Sequence, residues 1–167
     1  MTSQISHNIK RRSNPNDVFI TPLPLAKKHI DMIDTNDDDI WYDPFKNDGS
    51  YYNQFPTDNK IWAEILEGID FFDEERNVDI ICSNPPYSML NNVFIKSIEL
   101  KPRVISYLIG VGNLTNKRIE LMNKNGYGLT KMFWMKVYKW YGMSCIVVFE
   151  KHKPNMEGFG YDRNVWK

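Results

Sequence analysis

The stretch VDIICSNPPY, residues 78–87, decides how the rest of the chain is interpreted. Its first five residues are mostly apolar and predict a buried strand, so Asn84 falls where that strand ends. In open α/β sheets, ligands bind beyond the carboxyl ends of the strands. An Asn carbonyl can accept a hydrogen from an amine, prolines leave neighbouring carbonyls free, and Tyr87 can stack on a ring. The stretch therefore indicates a site that holds a flat ring by its exocyclic amine. The alternative is a tight Pro-Pro turn with Tyr87 packed against the core.

The composition indicates one folded domain with a core of its own. The chain has 167 residues, of which 42% are apolar and 14% are aromatic, as is typical of globular proteins. The formal net charge is zero, so any binding of nucleic acid must come from a local basic patch. The three histidines show no metal-ligand spacing, and no metal site is predicted.

The two cysteines help to predict the cellular compartment of the protein. Cys82 and Cys145 both fall in apolar, strand-like runs, where buried free thiols are more common than a disulfide. The sequence shows no signal peptide and no apolar segment of membrane length. These features predict a cytoplasmic protein, or one inside a host cell if a virus or phage encodes it.

Strands alternate with helices through the middle of the chain, and a hairpin follows them. Residues 1–16 predict a flexible basic arm, residues 17–152 the folded domain, and residues 153–167 a C-terminal tail. Thr21 is placed to cap the first helix. The predicted strands cover residues 40–42, 60–66, 78–82 and 104–109, the helices 25–33, 91–100 and 115–123, and the hairpin 129–138 with 144–150. This order predicts an α/β, Rossmann-like, doubly wound and mostly parallel sheet with a C-terminal antiparallel hairpin.

Three of the predicted strands end at, or carry, a side chain that accepts hydrogen bonds. Asp43, Glu64 and Asn84 belong to the first, second and third strands respectively. The carboxyl ends of parallel strands lie at one edge of a sheet, so these side chains predict a cleft there.

Residues 18–150 resemble a small adenine-N6 methyltransferase of DNA that depends on S-adenosylmethionine. The order of three motifs carries the resemblance: FITP at 19–22, DPFKNDGS at 43–50 and NPPY at 84–87. In this family an Asp-Pro-Phe loop, usually followed by Gly-x-Gly, binds the cofactor, and a Thr-Pro element faces the cofactor's methionine part. The resemblance implies a class I methyltransferase fold and S-adenosylmethionine as cofactor.

The resemblance also implies roles for particular residues. The catalytic set is Asn84, Pro85, Pro86 and Tyr87. The cofactor set in the first two motifs is Thr21, Pro22, Asp43, Pro44, Phe45 and Gly49.

The cofactor loop departs from the family pattern at Asn47, which stands where the first glycine is usual. The position needs a positive φ or a close approach to the ligand, and Asn tolerates the left-handed region better than other non-glycine residues. The alternative is an Asp-Pro turn followed by an Asp-Gly turn with no ligand.

Acidic residues further along suit the rest of the cofactor. Glu64 is the candidate for the ribose hydroxyls, because a carboxylate can accept two hydrogen bonds. Asp70 is the candidate for the adenine amine, with Phe71 or Phe72 on the ring. Glu67 and Asp73 are rival carboxylates, and each acid has a solvated loop position as its alternative.

The late strands are expected to contact the substrate. The family usually has a second aromatic contact there, for which Tyr138 is the candidate ahead of Phe133 and Trp134. Lys136 and Lys139 lie among these aromatics, a pattern that suits a nucleic-acid groove. The alternatives are aromatics that pack on the sheet and lysines on a solvated face.

The resemblance implies nucleic acid, and DNA above all, as the partner. Family members with sequence specificity usually carry a target-recognition domain, and none is apparent here, so a homodimer or a partner subunit is expected to supply recognition. Three other functions stay open: methylation of RNA adenine or of protein glutamine, a non-catalytic nucleic-acid-binding subunit, and a nucleotide-binding fold with other chemistry. The last lacks a Gly-rich phosphate loop with lysine.

Overall fold

The computed structural model describes residues 19–137, 140, 142–162 and 164. The predicted arm at residues 1–16 lies outside the described residues, and so do Tyr138 and Lys139. The domain boundaries stay predictions.

Six strands and three α-helices make up the described part of the chain. The strands are β1 (Trp41–Asp43), β2 (Lys60–Trp62), β3 (Ile80–Ser83), β4 (Val104–Gly110), β5 (Tyr127–Met135) and β6 (Ser144–Lys151). The helices are α1 (Leu23–Asp31), α2 (Leu90–Glu99) and α3 (Asn116–Lys124). Short 3-10 turns at Tyr52–Gln54, Ile65–Glu67 and Phe71–Asp73 shape the loops after β1 and β2.

The six strands form one sheet in the order β2-β1-β3-β4-β6-β5. Strands β2, β1, β3 and β4 are parallel to one another, whereas β6 runs antiparallel to both β4 and β5. The predicted α/β sheet, mostly parallel with an antiparallel hairpin, is therefore confirmed.

Helices cover both faces of the sheet. Alternation along β4 sends Ile105 and Tyr107 into one apolar cluster, with Val93 and Phe94 of α2, as the pleat of a strand requires. Val104 and Leu108 belong to the second cluster, which contains residues of α1 together with Trp41 and Ile80. This arrangement is the doubly wound one that the sequence predicts.

The structure differs from the predictions at several helix and strand ends, of which two bear on the site. β2 stops at Trp62 rather than at residue 66, because the Glu64 side chain accepts from the Leu66 N–H and begins a 3-10 turn. α1 begins at Leu23 after Pro22, and no side chain caps it, so the predicted Thr21 cap is wrong. The Thr21 hydroxyl accepts a hydrogen bond from Asn84 instead.

Part of the predicted tail packs against the sheet. Asn155 accepts from the Leu129 N–H at 2.8 Å, and the Met156 N–H donates to the Leu129 carbonyl at 2.7 Å. Gly128 leaves room for this segment, because a Cβ there would lie 2.2 Å from the Lys153 carbonyl oxygen.

Candidate functional site

Two adjoining hollows lie beyond the carboxyl ends of β1, β2 and β3. The first encloses about 520 Å³, part of it open to solvent, and Thr21, Asn47, Glu64 and Asn84 are among its lining residues. The second encloses about 290 Å³ and is lined largely by apolar side chains. Phe45 and Pro86 line both hollows, so the two adjoin, and together they are here called the cleft. The cleft lies where the sequence predicts it.

The two polar atoms of the Asn84 amide differ in their hydrogen bonding. Its Nδ2 donates to the Phe19 carbonyl at 3.3 Å and to the Thr21 hydroxyl at 3.2 Å. Its Oδ1 is buried and accepts no hydrogen bond within the structure described. A buried carbonyl oxygen without a hydrogen-bond donor lowers the stability of the fold. The Asn84 Oδ1 can therefore accept a hydrogen bond from a bound ligand. The first hollow, which Asn84 lines, is where that partner can bind.

The three residues after Asn84 form a firm turn beside the cleft. Pro85 and Pro86 are buried, and both peptide bonds are trans. Tyr87 is partly buried against the core, and its ring lies 6.0 Å from that of Phe19. Burial raises the pKa of Tyr87 to about 12. Tyr87 thus packs on the core, which is the alternative to stacking on a ligand ring. It also borders an aromatic group beside Asn84.

Phe19 and Trp140 complete this aromatic group. Their ring centroids are 5.3 Å apart, so Phe19 lies between Tyr87 and Trp140. The sequence analysis does not name either residue for the substrate side. The only signal for Phe19 is its position in the FITP motif.

Asp43 is wholly buried and does not line either hollow. Its carboxylate accepts from the Ser83 hydroxyl at 2.6 Å and from the N–H groups of Phe45 and Tyr52, each at 3.3 Å. Burial raises the pKa of Asp43 to about 7, the three donors oppose this, and the Glu64 charge adds to it. Asp43 therefore holds both ends of the loop at residues 44–52 from beneath.

The loop adopts the left-handed backbone conformation that the sequence analysis expects at Asn47. Asn47 has a φ of +50° and Gly49 a φ of +89°. A Cβ at Gly49 would meet only the exposed Asn53 side chain, which can move aside, so the positive φ is the reason that this position favours glycine. The expectation that Asn can replace glycine at a positive-φ position is confirmed.

Glu64 is the second residue after β2 and lines the first hollow. Its carboxylate accepts from the Asn47 N–H at 2.7 Å and from the Leu66 N–H at 3.2 Å. The rival Glu67 instead pairs with Lys46 at 2.7 Å and is half exposed. Of the two carboxylates, Glu64 is the one in the cleft.

The second hollow contains the other predicted cofactor residues. Pro44, Asp70, Phe71 and Phe72 line it. Asp70 accepts from the Phe72 N–H at 3.0 Å, and the Phe71 ring packs 5.2 Å from that of Phe45. The rival Asp73 does not line this hollow. A narrow apolar slot with one carboxylate at its edge suits a flat heterocycle that bears an amine.

Among the residues of the hairpin that the structure describes, Phe133, Trp134 and Lys136 do not line either hollow. Lys136 donates to the carbonyls of Trp140 and Gly142 and so braces the turn of the hairpin. Phe133 and Trp134 are 40% and 56% exposed on the edge strand β5, and the Lys28 ammonium lies 4.8 Å from the Phe133 ring centroid. The roles predicted for Lys136, Lys139 and Tyr138 stay predictions.

Cys82 and Cys145 are buried free thiols. In the part of the chain that the structure describes, no helix is long and apolar enough to cross a membrane, and no group of three or more potential metal ligands occurs.

Comparisons with known proteins identify the fold. No protein-family model matches the sequence, and no curated protein matches it. Solved structures do match. The M protein of the type I restriction enzyme EcoKI superposes with a TM-score of 0.60 at 13% identity, over 89% of this chain and 47% of that one. A modification subunit of a type I restriction enzyme assigned in Vibrio vulnificus gives 0.57 at 15% identity, over 92% and 49%.

Matches of similar quality come from methyltransferases of other kinds. A Pyrococcus horikoshii protein provisionally assigned as an RNA methyltransferase gives a TM-score of 0.57 at 15% identity, over 77% of this chain and 80% of that one. The chain spans only about half the length of the two restriction-enzyme subunits. Identities this low establish the fold, and this chain has the class I methyltransferase fold.

Proposed function

We propose that this protein transfers a methyl group from S-adenosylmethionine to the exocyclic N6 amine of adenine in DNA. The observation that carries the proposal is the buried Asn84 Oδ1, which accepts no hydrogen bond within the structure described and belongs to a residue of the cleft. An amine hydrogen is the natural partner for such an oxygen. The NPPY sequence and the class I fold support the same reaction.

The two hollows fit the proposed cofactor. Phe71, Phe72 and Asp70 suit its adenine, because they combine apolar faces with an acceptor for the amine. Glu64 suits the ribose hydroxyls, since its carboxylate lines the first hollow and can accept two hydrogen bonds. Thr21 and the loop around Asn47 line the part of the first hollow that remains for the methionine group.

The residues of the NPPY turn account for catalysis by position and electrostatics. S-adenosylmethionine, when bound, supplies an electrophilic methyl group whose bond to sulfur breaks as the amine nitrogen forms its new bond to carbon. The Asn84 Oδ1 and the Pro85 carbonyl accept the two amine hydrogens. They thereby favour a tetrahedral nitrogen, whose lone pair is no longer delocalised into the ring. No base is needed before transfer, and the surplus proton leaves to solvent afterwards.

Access to the cleft requires an unstacked base. An adenine inside a duplex cannot reach a buried amide, so it must be flipped out or presented in a single strand. Phe19, Tyr87 and Trp140 offer aromatic surface beside Asn84 on which such a base can stack. The net charge of zero predicts weak and salt-sensitive binding unless a second copy or a partner subunit contributes phosphate contacts.

The test is transfer of a labelled methyl group to defined substrates. The protein is incubated with methyl-labelled S-adenosylmethionine and duplex DNA, single-stranded DNA or RNA, and each product is digested to nucleosides. We expect labelled N6-methyladenine from DNA. Label only in RNA, or only in an added protein, would replace the proposed substrate. No label together with no cofactor-induced rise in Tm would favour a non-catalytic subunit.

A further inference from the structure

A line of buried polar side chains connects Asn84 with Ser106 in β4. Thr21, Tyr51, His29 and Ser106 are each at most 4% exposed. They lie along the face of the sheet that α1 covers, next to an apolar cluster that includes Tyr51. Polar groups in such surroundings must satisfy one another, and a fully bonded set selects a single arrangement.

Each neighbouring pair in this line is hydrogen bonded. Asn84 Nδ2 donates to Thr21 Oγ1 at 3.2 Å. The Thr21 side chain interacts with the Tyr51 hydroxyl and favours a lower pKa for it, as expected when Thr21 is the donor. The Tyr51 hydroxyl lies 2.8 Å from His29 Nδ1. The other ring nitrogen, Nε2, lies 2.7 Å from Ser106 Oγ.

The far end of the line fixes the direction of the bonds near it. Ser106 Oγ donates its hydrogen to the Val147 carbonyl of β6 at 2.9 Å, and a backbone carbonyl can only accept. Ser106 must therefore accept from His29, which requires the proton on Nε2. Burial lowers the pKa of His29 to about 3, so the ring is neutral and its Nδ1 has a lone pair.

The donor and acceptor roles of Tyr51, Thr21 and Asn84 follow from that of His29. Because His29 Nδ1 accepts, Tyr51 must donate to it, and the Tyr51 oxygen is left to accept from the Thr21 hydroxyl. The Thr21 hydroxyl has one hydrogen and donates it to Tyr51, so towards Asn84 it can only accept. The Asn84 atom that faces Thr21 must therefore be the NH₂ nitrogen. The Phe19 carbonyl, an obligate acceptor 3.3 Å from the same nitrogen, requires the same orientation.

We propose that Ser106, His29, Tyr51 and Thr21, here called the hydrogen-bond relay, are positioning residues that lock the Asn84 amide with its nitrogen inward. The lock leaves Oδ1 as the acceptor for the substrate amine, and in that respect the inference rests on the proposed function. An inverted amide would place two donors against the amine hydrogens and could not bind them. The relay thus couples the tautomer of a histidine on α1 to the catalytic residue.

The tautomer of His29 tests the relay directly and without any assay of activity. The full chain is prepared with isotope-labelled histidine and with His7→Gln and His152→Gln, so that His29 gives the only signal in nitrogen NMR. We expect a neutral ring protonated at Nε2 between about pH 5 and pH 8. A ring protonated at Nδ1, or at both nitrogens, would overturn the proposal.

Ser106→Ala tests whether the relay reaches Asn84. The residue does not line either hollow, so the affinity for S-adenosylmethionine should stay within a few fold. We expect His29 to shift toward the Nδ1-protonated tautomer and kcat to fall by about threefold to tenfold, which is the loss expected when a supporting hydrogen bond is removed.

Ser97→Ala is the matched control. Ser97 is equally buried and bonds the Tyr107 hydroxyl at 2.7 Å on the opposite face of the sheet, so its loss should lower Tm without lowering kcat. An equal kcat in Ser106→Ala and Ser97→Ala would overturn the coupling.

A conservative pair at Thr21 supplies the rescue. Thr21 lines the first hollow, so both variants are compared at saturating S-adenosylmethionine. Thr21→Val keeps the shape and removes the hydroxyl, whereas Thr21→Ser keeps the hydroxyl, so the kcat of Thr21→Val should fall below that of Thr21→Ser. Equal activity of the two variants would overturn the proposal. If wild-type protein transfers no methyl group at all, the proposed function fails, and the tautomer of His29 still decides whether the relay exists.

Discussion

The backbone N–H of Asn47 donates to the Glu64 carboxylate at 2.7 Å. This hydrogen bond connects the loop after β1 with Glu64, the second residue after β2. It therefore fixes two segments that line the first hollow relative to each other. It also explains how Asn47 can take a positive φ where glycine is usual. The acceptor stabilises the N–H of a residue whose left-handed backbone is otherwise unfavourable.

Glu64 is expected to act on cofactor binding. Glu64→Ala removes the acceptor for the Asn47 and Leu66 N–H groups and the proposed ribose contact, so we expect the Kd for S-adenosylmethionine to rise by about tenfold or more. Isothermal titration measures this. Glu67→Ala is the control, since Glu67 pairs with Lys46 on the surface, and it should bind normally. Unchanged affinity in Glu64→Ala would show that the cleft does not bind the cofactor.

Asn47 is expected to tolerate glycine and to reject a β-branched residue. Asn47→Gly removes the Cβ from a left-handed position and should retain stability and cofactor affinity. Asn47→Val should lower the free energy of unfolding by about 1–3 kcal/mol, because a β-branched side chain is strained at positive φ. Urea unfolding measures both variants. Equal stability of the two would contradict the observed backbone conformation.

Asp43 is expected to make stability depend on pH. Its pKa is about 7 in the folded protein and about 4 in an unfolded chain. The folded state holds the proton more tightly, so the free energy of unfolding falls as the pH rises from about 4 to about 7. The loss is at most on the order of 4 kcal/mol.

Asp43→Asn is the reference for this measurement, because an amide does not titrate. Urea unfolding of both proteins at matched pH values gives the difference in their free energies of unfolding. The advantage of the wild type over the variant should shrink as the pH rises through that window. An advantage that is constant or grows with pH would contradict the raised pKa.

The strands and helices were predictable because their apolar residues repeat with the period of each structure. The buried runs of β3 and β4 and the helical spacing of α2 appear in the structure within two residues of the predicted bounds. β2 was predicted too long. The alternation at residues 61–65 continues past Trp62 in the sequence, but the Glu64 side chain bonds the local backbone and ends the strand.

The site was predictable only where a motif marks it. Asn84, Glu64, Asp70 and Phe71 lie in one cleft, as their places after neighbouring strands indicate. The inward role of Asp43 and the bond between Thr21 and Asn84 depend on contacts between residues 40 and 63 positions apart. His29 gave no signal in the sequence, because its partners Tyr51 and Ser106 are brought to it only by the folded sheet.

The most direct test of the central claim compares Asn84→Ala with wild type in methyl transfer to DNA. Asn91→Ala is the control, since Asn91 lies exposed on α2 and contacts only Arg118 among the bonds described. The account predicts that wild type and Asn91→Ala form N6-methyladenine. It also predicts that Asn84→Ala forms none while binding S-adenosylmethionine within a few fold of wild type. Retained formation of N6-methyladenine by Asn84→Ala would contradict the role assigned to its Oδ1 and, with it, the account of the site.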